Sequence, residues 1–328
     1  MNRTQQQGLS LVELMVAVGL ASFIIAGIIQ VVLSNRQAFN LTESMVRVQE
    51  SGRFALNFIA DDLRQSGGYG CTPTFDAVTQ NIQSFDNDMS DINAIQTTAG
   101  GGLASSVDGD GVTDWFDKPD TLALLKLSQN SATLGAGITS PTTLAISNEW
   151  AFQKDDYVLV SNCEVADLIQ LDTGSSDIQM VSASNSFRYS FYSRQDKRST
   201  INEIEHRAFT VDTARNELVL TINGVNPQVL LGGIENIQYR YGVDLDGDLV
   251  PDYFADIDDI PAARIDDIMA VHVSVLTVSG SLAEGDVQAV TSSPQSISFN
   301  GLTDPLVMND NRLRKVFETT VILRNRMN

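Results

Sequence analysis

The first 66 residues show two hydrophobic patterns that follow one another without a break. From Leu9 to Leu33 the chain is apolar, and its one formal charge is Glu13. As a helix this stretch would be about 37 Å long, enough to cross a bilayer. The pattern therefore predicts a membrane-spanning segment, and no small-residue cleavage site follows it that would mark an ordinary secretory signal.

Beyond Leu33 the apolar positions recur three, four or seven residues apart, with charged residues between them, which is typical of an amphipathic helix. These positions are Ala38, Leu41, Met45, Val48, Ala55, Ile59 and Leu63. No proline interrupts the stretch. We therefore predict one helix from Leu9 to about Ser66, ended by the glycines of SGGYGC. Its amphipathic half is expected to be a core helix of a downstream domain rather than a coiled-coil seam.

The rest of the chain has the composition of a β-rich domain. Residues 71–120 are rich in Asn, Asp, Ser, Thr and Gly and are expected to form a long ordered loop with short elements. Later runs of β-branched and aromatic residues between turn residues predict strands; they are TLALLKLS, YVLVSN, FRYSFYS, ELVLTI, IENIQYRYGV, IMAVHVSVLTVS and VFETTVILRN. The predicted fold class is α+β, a long amino-terminal helix packed on an antiparallel sheet.

Charge and composition exclude several functions. The formal net charge of -20 would repel a phosphate backbone, so a nucleic-acid partner is not expected. The two histidines, His206 and His272, stand apart in strand-like sequence, which excludes a histidine-rich zinc site. The sequence has no recognisable nucleophile motif or phosphate-binding loop, so we expect a protein that is not an enzyme and that requires no cofactor.

The stretch QQQGLSLVELMVAV resembles the leader and cleavage box of type IV pilins and type II secretion pseudopilins. The resemblance implies that a prepilin peptidase cuts between Gly8 and Leu9 and methylates the new amine, and that Glu13 is the acidic residue of the box. Leucine as the first mature residue departs from the commoner phenylalanine. The implied segments are a leader at 1–8, an assembly helix at 9–33, its amphipathic continuation at 34–66 and an exported pilin-like domain at 67–328.

A charge at Glu13 has a physical reason in this setting. An unpaired acid deep in a bilayer costs roughly 2.5 to 3.5 kcal/mol, so it should seek a cation. The cleaved amine of Leu9 lies one helical turn away, and the resemblance implies that Glu13 pairs with the amine of a neighbouring subunit during assembly. The alternative is that Glu13 only gains from the helix dipole, a contribution of about 0.3 to 1 kcal/mol.

Three later stretches resemble minor pilins of the PilW family: GGIENIQYRYGVDLDGD, RIDDIMAVHVSVLTVSG and RLRKVFETTVILRNR. The implied role is assembly or initiation of a type IV pilus, the fibre of twitching motility. The implied partners are other minor pilins, the major pilin, the prepilin peptidase, the inner membrane and a tip adhesin. Arg3 ahead of the apolar run favours a cytoplasmic amino terminus and a periplasmic body. The alternatives are a J-class-like pseudopilin of a secretion system and a membrane-anchored calcium-binding adhesin or enzyme.

Cys71 and Cys163 can pair only with each other, because the chain has two cysteines. If the body is exported, we expect a disulfide, which would contribute roughly 4 kcal/mol for a loop of this length. The alternative is two buried free thiols.

Two acidic loops have aspartates at the same spacing, and alternating carboxylates on a tight turn suit Ca²⁺. The second loop, with Asp244, Asp246, Asp248 and Asp252, is the stronger candidate for calcium, and the first contains Asp108, Asp110 and Asp114. The alternative for both loops is a solvated Asp-Gly turn without metal.

Overall fold

The computed structural model describes residues 11–68, 78–80, 95–98, 106–107, 113–114, 119–134, 143–145, 152–154, 156–163, 166–171, 177–179, 199–280, 295–299, 306–308, 310 and 312–326. Its main helix, α1, is Leu11–Gln65, about 83 Å long at 1.5 Å per residue. Gly67, with a φ of 71°, takes a left-handed conformation just beyond the helix. The predicted end near Ser66 is confirmed.

The amphipathic half of α1 is a core helix of the domain, as the spacing of its apolar residues predicts. The buried positions of the helix are Val48, Gly52, Ala55, Ile59, Ala60, Asp62 and Leu63. Earlier apolar positions of the same pattern, including Leu41 and Met45, are exposed. The reason is geometric: α1 reaches the β-structure only at about Val48, so the stripe before that residue has nothing within the subunit to pack against.

The strands follow α1 in chain order. The first nine are β1 (Val78–Gln80), β2 (Ile95–Thr98), β3 (Ser106–Val107), β4 (Thr113–Asp114), β5 (Thr121–Thr133), β6 (Thr143–Ala145), β7 (Tyr157–Ser161), β8 (Ala166–Gln170) and β9 (Asp177–Gln179). The others are β10 (Thr200–Asp212), β11 (Glu217–Ile222), β12 (Val225–Gly232), β13 (Ile234–Val243), β14 (Tyr253–Ala255), β15 (Ile268–Val278), β16 (Gln295–Ile297), β17 (Leu306–Met308) and β18 (Arg314–Ile322). Short 3-10 helices cover Ile257–Asp259, Ala262–Asp267 and Arg324–Arg326.

Two sheets form the body of the described domain. The smaller one is antiparallel in the order β14-β13-β15-β18. The larger one runs β1-β8-β7-β10-β11-β12, and β5 pairs with both β10 and β2. Its pairings are antiparallel except that β1 and β8 run parallel. The predicted α+β class, with a long amino-terminal helix and antiparallel sheets, is confirmed.

The main core lies where α1 meets both sheets. Ile59 and Leu63 of the helix belong to the same buried cluster as Leu122 of β5 and Val273 of β15. The odd-numbered residues of β15 from Val271 to Val275 enter this cluster, while Leu276 packs with Ile297 and Phe299 in a separate one. Successive side chains of a strand point to opposite faces, so β15 is covered on both sides. The helix is therefore an integral part of the folded domain from Val48 onward.

Most of the predicted strands are present, and some real strands were not predicted. ELVLTI and IENIQYRYGV coincide with β11 and β13, and IMAVHVSVLTVS contains β15. FRYSFYS lies outside the described residues. The predicted strand VFETTVILRN is only partly a strand, because β18 ends at Ile322 and a 3-10 helix follows at Arg324–Arg326. The unpredicted strands include β8, β12 and the thirteen-residue β10 at the centre of the larger sheet.

The candidate assembly helix and the acidic loop

The apolar half of α1 has no partner within the subunit. The large apolar side chains from Leu11 to Leu33 are 46–81% exposed. Among the described elements, α1 is the one that is long and apolar enough to cross a membrane. Transfer of such a surface from water to lipid or to other apolar helices is strongly favourable. This half of the helix is therefore built to lie in a bilayer or in a bundle of helices.

Glu13 lies in the first turn of α1 as described, among exposed apolar neighbours. Gly8 and Leu9 are outside the described residues, so the cleavage between them and the pairing of Glu13 with an amine stay predictions. The position of Glu13 is consistent with pairing to an amine and also with stabilisation by the helix dipole alone, because the first turn of a helix carries the positive end of that dipole.

Gly52 sets how closely α1 approaches the smaller sheet. It lies under the ring of Phe317 in β18, and a Cβ atom at this position would overlap that ring. The absence of a side chain thus lets the helix backbone contact an aromatic face directly. The hydroxyl of the neighbouring Ser51 donates a hydrogen bond to the carbonyl of Gly232 at 3.1 Å, at the end of β12.

A buried ion cluster fixes the end of α1 to the larger sheet. Asp62, whose side chain is 6% exposed, lies 2.8 Å from Lys126 Nζ of β5 and 2.6 Å from Arg207 Nε of β10. Glu205 pairs with the same arginine at 2.9 Å. A buried carboxylate needs such cations, because desolvation without them is costly.

This cluster was not predicted from the sequence, although α1 contains a signal for it. Asp62 follows Ile59 by three residues and Ala55 by seven, which places it on the buried face of the helix. A charged residue on that face requires a partner in the sheet.

The candidate calcium loop is a compact turn held by its own aspartates. Asp244 Oδ1 accepts hydrogen bonds from the backbone N–H groups of Asp246 at 3.2 Å and Gly247 at 2.7 Å, and its Oδ2 accepts one from Leu249 at 2.9 Å. Partial desolvation acts to raise the pKa of Asp244, but these backbone donors together hold its pKa below the ordinary value. The loop thus favours an ionised Asp244.

The structure brings three of the four predicted ligands of this loop together. Asp244, Asp246 and Asp252 each offer a carboxylate oxygen, and these oxygens lie within 4.8 Å of one another. Asp248 is not in this group; its Oδ1 accepts a hydrogen bond from Val250 at 2.8 Å. The same turn is therefore stabilised by backbone donors whether or not a cation binds.

The other predicted site residues fall largely outside the described residues. Asp108 and Asp110 are not described, and Asp114 belongs to β4, which pairs with β3. Cys163 follows β7 with a left-handed φ of 68°, while Cys71 is not described. The calcium site of the first loop and the disulfide between the two cysteines remain predictions.

Comparison with known families agrees with this architecture. Residues 205–325 match the family model described as Type IV Pilus-assembly protein W, and residues 3–29 match that of the prokaryotic N-terminal methylation motif. The chain thus contains a region similar to the PilW family and a segment similar to the N-terminal methylation motif. The PilW match extends from β10 to the end of the described chain and includes the smaller sheet and the acidic loop. The match to the methylation motif includes Glu13 and the predicted cleavage position between Gly8 and Leu9.

A search of solved structures found similarity to a type IV-like pilin from Thermus thermophilus. It is 15% identical, with a TM-score of 0.22, and the match covers 54% of this chain and 88% of that one. No curated protein matches the chain.

Proposed function

We propose that this PilW-domain protein is a minor pilin that takes part in starting or assembling a type IV pilus. The observation that carries the proposal is the contrast between the two halves of α1. The first half is apolar and exposed, whereas the second is buried against a folded domain from Val48 onward. A folded domain on an apolar helix is suited to transfer from lipid into a bundle of similar helices.

Glu13 is the proposed assembly residue. Cleavage between Gly8 and Leu9 by the prepilin peptidase would leave a cationic amine one turn before Glu13. In a medium of low dielectric a carboxylate and an ammonium attract strongly, and each is costly alone. Pairing Glu13 of an incoming subunit with the amine of its neighbour would therefore fix the axial position of the helix while its apolar side chains pack.

The proposed topology is a single span of the inner membrane. The amino terminus would be cytoplasmic and the β domain periplasmic, where other minor pilins and the major pilin are expected to contact it. The matched families are structural, which agrees with a role in assembly rather than in catalysis.

Substitution of Glu13 tests the proposal. Glu13→Ala should abolish or strongly reduce surface pili, and Glu13→Asp should retain more of them because it keeps the charge. Electron microscopy and sheared-pilus yield are the readouts. Membrane levels of the subunit and the mass of its amino terminus serve as controls for insertion and cleavage. Normal piliation with Glu13→Ala would refute the proposed role of the residue, and an uncut amino terminus in the presence of the peptidase would refute the pilin assignment.

A second experiment separates a pilus from a secretion apparatus. Deletion of the gene that encodes this protein should abolish pili and leave secretion through the outer membrane unchanged. Loss of secretion with normal pili would assign the protein to a pseudopilus instead.

A further inference from the structure

The apolar half of α1 has a charge of opposite sign at each end. Between Glu13 and Arg36 lie 22 residues without a charge, all of them in the one continuous helix. The helical rise places the two charged residues about 35 Å apart. A bilayer has a hydrocarbon core of about 30 Å and is about 40 to 45 Å thick with its headgroups. When α1 is upright in a bilayer, both charges therefore fit in headgroup layers at the same time, one in each leaflet.

Arg36 is available to an anion outside the subunit. It is exposed, and no described carboxylate forms an ion pair with it. No acidic residue lies within six positions of it along the chain. The next arginine of α1 differs, because Arg47 pairs with Glu43 at 2.8 Å. A guanidinium group binds a phosphate group through two parallel hydrogen bonds, so the phosphate of a lipid headgroup is a suitable ligand for Arg36.

The direction of side chains on a helix also favours this ligand. The Cα–Cβ bonds of an α-helix tilt toward its amino terminus, which in the proposed topology directs Arg36 back toward the bilayer. The aliphatic stem of the arginine can then lie along the apolar turn that ends at Leu33 while its charged end stays among the headgroups. Phe39, 67% exposed, follows three residues later on the same side of the helix. An exposed aromatic ring beside an arginine is typical of a surface in the headgroup layer.

The folded domain leaves this part of α1 accessible to lipid. The first buried residue in the described part of the helix is Val48. It lies 12 residues beyond Arg36, a distance of about 18 Å along the axis. One headgroup layer is only about 5 to 8 Å thick. Lipid headgroups can therefore surround Arg36 without displacing any contact between α1 and the sheets.

We propose that Arg36 binds phosphate groups of lipids in the leaflet that faces the β domain, and that this contact sets the depth at which α1 rests in the bilayer. Glu13 then lies in the headgroup layer of the opposite leaflet. The inference rests on the proposed function, because it requires the proposed single span of the membrane. At this depth neither charge lies in hydrocarbon, so the unassembled subunit needs no cation beside Glu13. Displacement of α1 toward the side of the β domain would move Glu13 into hydrocarbon and Arg36 away from its phosphates, so both charges oppose it.

Solid-state NMR of the full chain tests the contact, in vesicles of phosphatidylethanolamine and phosphatidylglycerol and in buffer without phosphate. The arginine Cζ atoms carry ¹³C, and the dephasing of their signals by lipid ³¹P is measured. Arg36→Gln should remove a dephased arginine signal. The matched control is Arg53→Gln, because Arg53 is also exposed on α1 but lies about 26 Å farther along the helix. The control should leave the dephased signal unchanged.

Relocation of the arginine tests whether the contact sets the depth of the helix. Ile28→Trp, at a position that is 58% exposed, reports depth through quenching by lipids brominated at different positions of the acyl chain, relative to the chain without this substitution. Arg36→Gln combined with Val32→Arg moves the cation by four residues, about 6 Å, toward the bilayer. The tryptophan should then lie up to about 6 Å closer to the headgroups of that leaflet. Arg36→Gln combined with Val32→Gln, which adds a polar but uncharged residue, should not cause this shift.

The outcomes separate this lipid contact from the proposed function. The absence of an Arg36-dependent ³¹P contact, equal losses for Arg36→Gln and Arg53→Gln, or an unchanged depth after relocation of the arginine would overturn the inference. Flotation of the same samples with the vesicles shows whether the chain inserts, and a chain that does not insert would refute the membrane span as well. Normal piliation with Glu13→Ala would refute the proposed assembly role, while the depth of α1 in vesicles could still be measured.

Discussion

At the residue scale, the position of α1 depends on a few side chains that differ in chemistry from their neighbours. Gly52 admits the ring of Phe317 where any side chain would exclude it. Asp62 is a buried charge in an otherwise apolar helix face, and it meets two cations from the larger sheet. Both residues help to dock α1 on the sheets, Gly52 because it has no side chain and Asp62 because of its charge.

We predict that Asp62→Asn lowers the free energy of unfolding of the domain by about 3 kcal/mol, because it leaves a buried cation without its carboxylate. Thermal or denaturant unfolding of the domain is the measurement. Asp61→Asn is the matched control, since the adjacent Asp61 is 68% exposed and pairs with Arg64 at the surface. The control should lose at most about 1 kcal/mol. Equal losses in the two variants would show that burial of the ion cluster is unimportant.

Glu203 gives a prediction for pH. Burial, with the nearby charges of Asp156 and Glu205, raises the pKa of Glu203 above 4.5, although a hydrogen bond from Asn130 opposes the shift. A carboxyl group with a raised pKa in the folded state stabilises the fold fully below its unfolded pKa, and this contribution is lost as pH rises through the folded value.

Glu203→Gln should therefore raise the melting temperature at pH 7, and the gain should shrink to about zero below pH 4.5. Parallel melting curves of the two proteins between these pH values are the measurement. A gain that does not vary with pH would contradict ionisation of Glu203 as its cause.

At the scale of elements, the helix and strands were predicted most accurately where a single residue pattern determines the structure of a segment. The end of α1 follows from its glycines, and β11, β13 and β15 follow from runs of β-branched and aromatic residues. β10 was missed because TINEIEHRAFTVD is not a run of β-branched and aromatic residues: four of the five residues from Glu203 to Arg207 are polar or charged. Its Arg207 is explained only by Asp62 on a distant element. β12 was missed because Pro227 argues against a central strand, and the structure places β12 at a sheet edge, where proline is tolerated.

The candidate site was predictable to a similar degree. The spacing of the aspartates indicated a tight acidic turn, and three of its carboxylates do converge. The exclusion of Asp248 from that group could not be predicted, since it depends on which backbone N–H each side chain accepts. Tertiary contacts such as that of Gly52 with Phe317 likewise cannot be predicted from the residue pattern of one segment.

Calcium binding by the second acidic loop is tested by titration of the purified domain. If Asp244, Asp246 and Asp252 bind Ca²⁺ in the native state only, the melting temperature should rise with calcium concentration. Asp252→Asn should abolish the rise, because it removes a ligand charge. No dependence on calcium would leave the backbone hydrogen bonds of the turn as the full explanation of these aspartates.

At the scale of the whole molecule, the chain consists of an apolar helix and a domain that shares the second half of that helix. No described residue before Val48 is buried, and the main core includes α1 from Ala55 to Leu63. The residues that match the PilW family include β15 and β18, which contact the helix, whereas β5, which also contacts it, precedes the matched residues.

A truncated chain of residues 34–328 should therefore fold without detergent and unfold at nearly the temperature of the full chain. A shorter chain of residues 54–328 should be much less stable, because it lacks Val48 and Gly52, which are buried against the sheets. Circular dichroism during heating measures both. Equal stability of the two truncations would contradict the described docking of α1.

The exposure of residues 11–43 has a mechanical consequence. Sliding this part of the helix along the membrane normal leaves the core of its own subunit intact. In the proposed assembly, the work of withdrawing a subunit from the bilayer is then set by the surroundings of the helix alone, and the β domain can stay fully folded throughout. Substitutions that only destabilise the core should shorten the lifetime of the folded subunit, but they should not change the force needed to withdraw its helix from the membrane.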